Sequence, residues 1–321
     1  MEKKLGPATR DAYGEVLVEL GKENKNIVVL DADLSKSTKT AVFGEKFPDR
    51  FFNMGIQEAD MVGVAAGLAA SGKIPFVSSF ACFVVCKAYD QLRMSVAFPE
   101  LNVKIVASHG GISVGEDGAS QQAIEDFALM TSLPGFVVLN PSDAAQTKAL
   151  VREMAKHNGP VYMRTGRPKT PIIYDASSKA RFEIGKGIRL REGKDVTIVA
   201  TGLLVFEALQ AEEKLRSEGI EAGVIDIHTL KPLDEELLTE EARRTHAVVV
   251  CEEHQIWGGL GSAVARVISR ETPAAMEFVA IQDSYAESGK PEELFQKYGL
   301  TASHIIQAVK KVLSKKGRVS V

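Results

Sequence analysis

The chain of 321 residues is 45% apolar and 25% charged, with a formal net charge of −3. That length suits about two domains, and the composition excludes a disordered, collagenous or coiled-coil protein. The charge balance excludes a global basic field for nucleic acid or anionic lipid, and three cysteines (Cys82, Cys86 and Cys251) are too few for a disulfide framework and fit a reducing, cytoplasmic compartment.

The N-terminal stretch has no apolar signal core. Short apolar runs at 27–30, 75–77, 103–107, 136–139 and 161–163 read as buried parallel strands, each followed by polar or glycine residues. Helix patterns lie at 8–21, 57–71, 85–97, 121–131 and 142–157. The last is opened by Asn140-Pro141-Ser142-Asp143 and closed by Gly159-Pro160. The most apolar helical segment, 61–70, falls short of the ~20 residues that a membrane span needs. Its small residues (Gly63, Ala65, Ala66, Gly67, Ala69 and Ala70) predict a buried helix packed closely against its neighbours. Cys82 and Cys86 lack a second pair nearby, so they are expected as small buried residues rather than metal ligands.

Residues 169–186 carry little periodicity and read as a linker between a first domain at 1–168 and a second at 187–321. Beyond it the alternation resumes, with strands at 196–200, 223–227, 247–251 and 278–281. Helices are expected at 203–219, from 258, and at 302–313. The basic tail 310–318 reads as a solvated end. Both halves are therefore α/β.

In open parallel sheets, ligands bind beyond the carboxyl ends of the strands. Those ends are polar here: Asp31-Ala32-Asp33-Leu34-Ser35-Lys36-Ser37, Ser78-Ser79-Phe80, Ser108-His109-Gly110-Gly111 and Arg164-Thr165-Gly166-Arg167. Three stretches go further: Asn53-Met54-Gly55-Ile56-Gln57-Glu58, Phe80-Ala81-Cys82-Phe83, and residues 108–126 with Gly115-Glu116-Asp117-Gly118. Each has an ordinary reading. Glu58 could complement a helix dipole, the aromatics could be core, and the glycine loop lacks the Lys-Ser/Thr of a phosphate loop.

In this order and spacing, the three stretches resemble the transketolase family over the whole chain, as the C-terminal two-thirds of a transketolase. The resemblance implies a thiamine-diphosphate pyrimidine-binding domain, a parallel sheet with helices on both faces, followed by a transketolase C-terminal-type α/β domain. It implies transfer of a two-carbon ketol unit from a ketose phosphate to an aldose phosphate, as in the pentose phosphate pathway. Glu58 would hydrogen-bond a pyrimidine nitrogen of the cofactor in a dry pocket where proton sharing is favoured. Phe80 and Phe83 would stack on and flank that ring, and Asp33 would lie near it. Arg10, Ser37 and Arg164, with His109, match a phosphate clamp for the sugar. Asp117 matches a residue that holds a donor hydroxyl. Gln121 stands where many members carry histidine, and Cys86 falls near a third aromatic of some members. Glu58 and His109 are the expected catalytic groups.

The family anchors magnesium and the diphosphate through a Gly-Asp-Gly and a later Asn, and this chain contains no Gly-Asp-Gly. The resemblance therefore implies an N-terminal partner subunit that supplies the Mg2+ ligands, an α2β2 assembly, self-association of this chain into a dimer, and no activity alone. Other readings share the layout. The beta subunit of a 2-oxo-acid dehydrogenase decarboxylase lacks the Gly-Glu-Asp-Gly stretch and the sugar-phosphate arginines. A 1-deoxyxylulose-5-phosphate synthase-like fragment is separable by substrate. A non-catalytic scaffold would not need Glu58, His109, Asp117 and Arg164. His254 is expected in a structural or interface role; His157, His228, His246 and His304 receive none.

Overall fold

The computed structural model describes residues 3–175, 178 and 180–316. Among the described residues, fourteen strands are arranged in three sheets. The first eight are β1 (Leu5–Ala8), β2 (Ile27–Asp31), β3 (Phe51–Asn53), β4 (Ile74–Phe80), β5 (Lys104–Ser108), β6 (Val137–Leu139), β7 (Val161–Arg164) and β8 (Lys169–Pro171). The rest are β9 (Ile188–Arg191), β10 (Val196–Ala200), β11 (Ala222–Asp226), β12 (Thr229–Lys231), β13 (Ala247–Gln255) and β14 (Ala275–Ile281). A seven-stranded sheet runs β12-β6-β7-β5-β4-β2-β3, parallel except for β12. A five-stranded sheet runs β14-β13-β10-β11-β9, parallel except for β9. The antiparallel pair β1-β8 is the third.

Alternation along the strands accounts for the layering. Val77 and Ile105 face one core, and Phe76 and Val106 the other, so the large sheet is buried on both sides. Helices Thr9–Glu23 and Ala144–Lys156 cover one face through Tyr13, Leu17, Leu150 and Met154. Helices Glu58–Ala70 and Ala81–Lys87 cover the other through Met61, Ala65, Val84 and Val85. This second core continues without a break into Val199, Ile225 and Val248 of the five-stranded sheet and Leu260 of the helix Leu260–Glu271.

Several expectations are corrected. The helix expected over 85–97 starts at Ala81, directly after Phe80 leaves β4 in extended conformation, and it stops at Lys87. A short turn and a π-helical segment, Leu92–Ala97, follow. The helix expected from residue 121 begins at Asp126, because loops on both sides hold residues 110–125. Segment 169–186 contains strand β8, and β12 crosses from the second half into the first sheet. These edge strands, like β1, β3 and β9, have only three or four residues and too few side chains to form a pattern. Cys86 is exposed and Cys82 half-buried, so neither is the fully buried residue expected. The basic tail is docked as far as Lys316: Lys311 and Lys315 pair with Glu277, and Lys316 Nζ donates to the Asp195 carbonyl. Arg318 lies outside the described residues. No helix among the described residues is long and apolar enough to cross a membrane.

Where the two halves meet, Asp226 is buried and accepts from Tyr174 Oη (2.7 Å) and Gln146 Nε2 (2.9 Å) on one oxygen. The other oxygen is without a partner, and burial pushes the carboxyl up to about 6. A raised carboxyl favours the fold below its unfolded value near 4, and that contribution is lost as pH rises through 6. Asp226→Asn removes this titration. Measured by urea unfolding, the variant should gain about 3 kcal/mol on the wild type between pH 4 and pH 8, whatever its offset at pH 4. Parallel pH curves would show that Asp226 stays ionised.

Candidate active site

The site is assembled at the carboxyl ends of β2, β4, β5 and β7. After β2, buried Asp31 accepts from Leu34 N (2.7 Å), Thr38 Oγ1 (2.7 Å) and Thr40 Oγ1 (2.8 Å), which shapes the loop bearing Asp33 and Ser37. Asp33, in a left-handed conformation, is tied to Asn53 after β3: Asn53 Nδ2 donates to Asp33 Oδ1 (3.1 Å). Asn53 Oδ1 accepts from Gly55 N (3.1 Å), and the chain turns there at φ +69°. That turn delivers Glu58 as the first residue of its helix, only 3% exposed. Lys87 Nζ donates to both Glu58 carboxylate oxygens at 3.2 Å.

Phe80, at the end of β4, and Phe83, one helical turn on, stack with ring centroids 5.7 Å apart and planes 16° apart. The His109 ring stacks on Phe80 at 3.8 Å. His109 follows β5 at φ +60°, is 2% exposed, and has Nδ1 2.7 Å from Ser108 Oγ. Its Nε2 lies 3.4 Å from Arg10 NH1. Arginine can only donate, so Nε2 accepts and Nδ1 carries the hydrogen. Burial, then Arg10 and Arg167, push the imidazole down to about 3, so His109 is neutral. Arg10 also donates to the Ser37 carbonyl (3.0 Å), while its buried Nε has no partner.

Arg164 is not in this cluster. It is buried and forms an ion pair with Asp126, with Nε 2.9 Å from Asp126 Oδ2. Its NH1 donates to the Glu253 carbonyl (2.8 Å) and its NH2 to the Ala123 carbonyl (3.0 Å), while the guanidinium lies over the Phe127 ring. Every side of the group is engaged within the chain, which sets it apart from the clamp expected of it: Arg164 ties the loop before helix Asp126–Ser132 to the second half. Arg167, three residues later, takes the place at the site. It is half-exposed, donates to the Val114 carbonyl and Glu116 (3.1 Å), and lies 3.8 Å from Asp117. The sequence carried a signal for it, since Arg164 ends β7 and Arg167 follows in the same polar run.

The Gly-rich loop is held by the second half of the chain. Ser113 N donates to Glu253 Oε1 (2.6 Å), and a Cβ on Gly111 would run into that carboxyl group, whereas one on Gly110 would meet Arg164. Burial pushes Glu253 up to about 7. Asp117 is exposed on this loop, and Gln121 lies beside the thiol of Cys82, which is 3.2 Å from the Gln121 carbonyl. Cys86 sits 4.0 Å from Glu125. Burial raises both thiols, to about 12 and 11, so they are neutral. His254 is buried, stacks on Phe127 and accepts from Ala128 N (3.4 Å), a structural contact between the two halves.

Two family models match the chain. The transketolase pyrimidine-binding domain covers residues 6–172 and the transketolase C-terminal domain covers residues 185–305. The chain belongs to the transketolase family. It is 49% identical to a protein of Methanocaldococcus jannaschii named as a transketolase C-terminal section, over 95% of this chain and 96% of that one. It is 42% identical to the 6-deoxy-6-sulfo-D-fructose transketolase subunit SqwH of a Clostridium species, over 96% and 95%. A solved structure described as a split gene transketolase in an inactive β4 tetramer is 54% identical, with a TM-score of 0.90 over 97% of this chain and 100% of that one. The human transketolase is matched over 49% of its length, so the chain spans about half of such an enzyme rather than two-thirds.

The family generally uses thiamine diphosphate with a divalent metal. The residues here fit the pyrimidine half of that group. Glu58 is a buried carboxyl group, and His109 stacks on Phe80, while the Lys87 ammonium links Glu58 to the Phe83 ring, 4.3 Å from its centroid.

Proposed function

We propose that this chain is the C-terminal subunit of a split transketolase that moves a two-carbon ketol unit from a ketose phosphate to an aldose phosphate. The observation that carries the reading is the convergence of Arg10, Arg167 and His109, which stacks on Phe80, with Phe83 stacked on the same ring and linked through Lys87 to buried Glu58. Thiamine diphosphate, when bound, supplies cleavage of the ketose beside its carbonyl and transfer of the two-carbon unit. Glu58 holds and shares a proton at the pyrimidine nitrogen, Phe83, stacked on Phe80, orients the ring, and Asp33 borders it. Arg10 and Arg167, with Ser37, bind the sugar phosphate in place of the Arg10, Ser37 and Arg164 set. Asp117 and Gln121 border the sugar hydroxyls.

His109 has a distinct task. Between two cations its imidazole is a weak base, suited to holding a hydroxyl. Burial is the larger cause of that weakness, so a phosphate dianion seated on Arg10 and Arg167 offsets only the lesser, charge-based part of it.

The magnesium and diphosphate ligands are assigned to an N-terminal partner subunit in an α2β2 assembly. Support comes from relatives of matching length named as a section or a subunit, and from the neighbour whose β4 form is described as inactive. The test is reconstitution. The purified chain should show no xylulose 5-phosphate to ribose 5-phosphate transfer, and adding the partner should restore it; robust transfer by the single chain overturns the split reading. In the reconstituted enzyme, Arg10→Ala and Arg167→Ala should each raise KM for the phosphorylated sugar, losing about 1.5–3 kcal/mol of binding with kcat less affected. Unchanged kinetics in both would remove the phosphate assignment.

A further inference from the structure

Lys87 does more than neutralise a buried carboxylate. It is the last residue of helix Ala81–Lys87, four positions after Phe83, so the two side chains share one face of the helix. Its ammonium lies 4.3 Å from the Phe83 ring centroid and 3.2 Å from both oxygens of Glu58. The two contacts that an aminopyrimidine would make, an aromatic face and a carboxyl group, are thus made by one ammonium. The other aromatic surface is closed, because His109 covers Phe80.

We propose that Lys87 is a built-in occupant of the pyrimidine position, so that a flat heteroaromatic ligand enters only by displacing it from Glu58 and Phe83. The inference rests on the assignment of Glu58 and Phe83 to a pyrimidine ring. The Glu58 side chain is 2% exposed and that of Lys87 46%, so the two partners differ in what release requires. Among the described residues, no donor other than Lys87 is shown for the Glu58 carboxylate, whereas the Lys87 ammonium can swing into water and be rehydrated. The pair therefore keeps the buried carboxyl satisfied in the free chain and yields to a ligand that satisfies it instead. It makes Lys87 a determinant of affinity: each ligand competes with a tethered cation that is always present.

The test uses the full chain and thiamine as the probe, with binding read from saturation transfer to the pyrimidine methyl group, which detects weak ligands. Lys87→Met should bind thiamine about tenfold more tightly than the wild type, the scale set by a half-exposed ion pair plus a cation–π contact. Lys87→Arg should retain wild-type affinity, since a guanidinium can hold the same two contacts. In a Glu58→Gln background, Lys87→Met should bring no gain. A gain that persists there would reduce the effect to general repulsion of a cationic ligand and overturn the proposal. Wild-type affinity in Lys87→Met, with Glu58→Gln weakened, would overturn it while leaving the pyrimidine assignment standing. Equal binding in all variants, or no transfer in any, would remove both.

Discussion

Glu58→Gln is expected to leave the chain folded and to lower turnover of the reconstituted enzyme by about 10²–10⁴-fold. The substitution preserves shape at a side chain that is nearly fully buried, so packing against the start of helix Glu58–Ala70 is retained. What is lost is chemical: an amide cannot share a proton with a ring nitrogen as a carboxyl group does. The amide also gives up the charged half of the contact with Lys87, so the melting temperature should move by only a few degrees. The measurement is kcat at saturating thiamine diphosphate and Mg2+, with the partner present. Near wild-type turnover would show that Glu58 has been misassigned.

Arg164→Ala should act on the other axis and cost about 3–5 kcal/mol of stability, the usual consequence of leaving a buried charge without its partner. Burial alone would push the Asp126 carboxyl up, but Arg164 outweighs it and holds the group below the ordinary carboxylate range. Without the guanidinium, Asp126 must either stay charged against Tyr162 or take up a proton. Its folded value then rises above the unfolded one, so the deficit should grow as pH rises from 5 to 8. The carbonyls of Ala123 and Glu253 would lose donors as well. Arg167→Ala should change stability by less than about 1 kcal/mol, since its ion pairs are exposed. Urea unfolding of the two variants separates the roles. A stable Arg164→Ala protein with a raised KM would return Arg164 to the sugar clamp.

Much of the architecture was legible because its cause is local. Buried parallel strands such as Val196–Ala200 consist of continuous apolar residues, and Asp143 caps helix Ala144–Lys156 by accepting from Gln146 N. The glutamate, the aromatic pair and the Gly-rich loop are contiguous stretches, so their order and spacing carried the family resemblance. Elements of three or four residues left no such trace. β12 is Thr-Leu-Lys, and its place beside β6 depends on a partner some 90 residues away in sequence.

The sequence by itself determined the alternating α/β layers and the set of polar strand ends from which any site had to be drawn; the small-residue helix behind Glu58, expected to be buried, is buried on one face only, with Gly63, Gly67 and Ala70 exposed on the other. Only the tertiary structure decided between two arginines three positions apart. Arg164 is still in β7, where it meets Asp126 and the Glu253 backbone, whereas Arg167 has left the sheet and reaches Arg10, His109 and Asp117. Nothing local distinguishes them, because residue type and polarity are the same. Their fates depend on partners 38 and 89 residues away from Arg164 along the chain. The pairing of Lys87 with Glu58 is of the same kind: a contact between two helices, set by how they pack and by the high cost of burying a carboxylate with no donor.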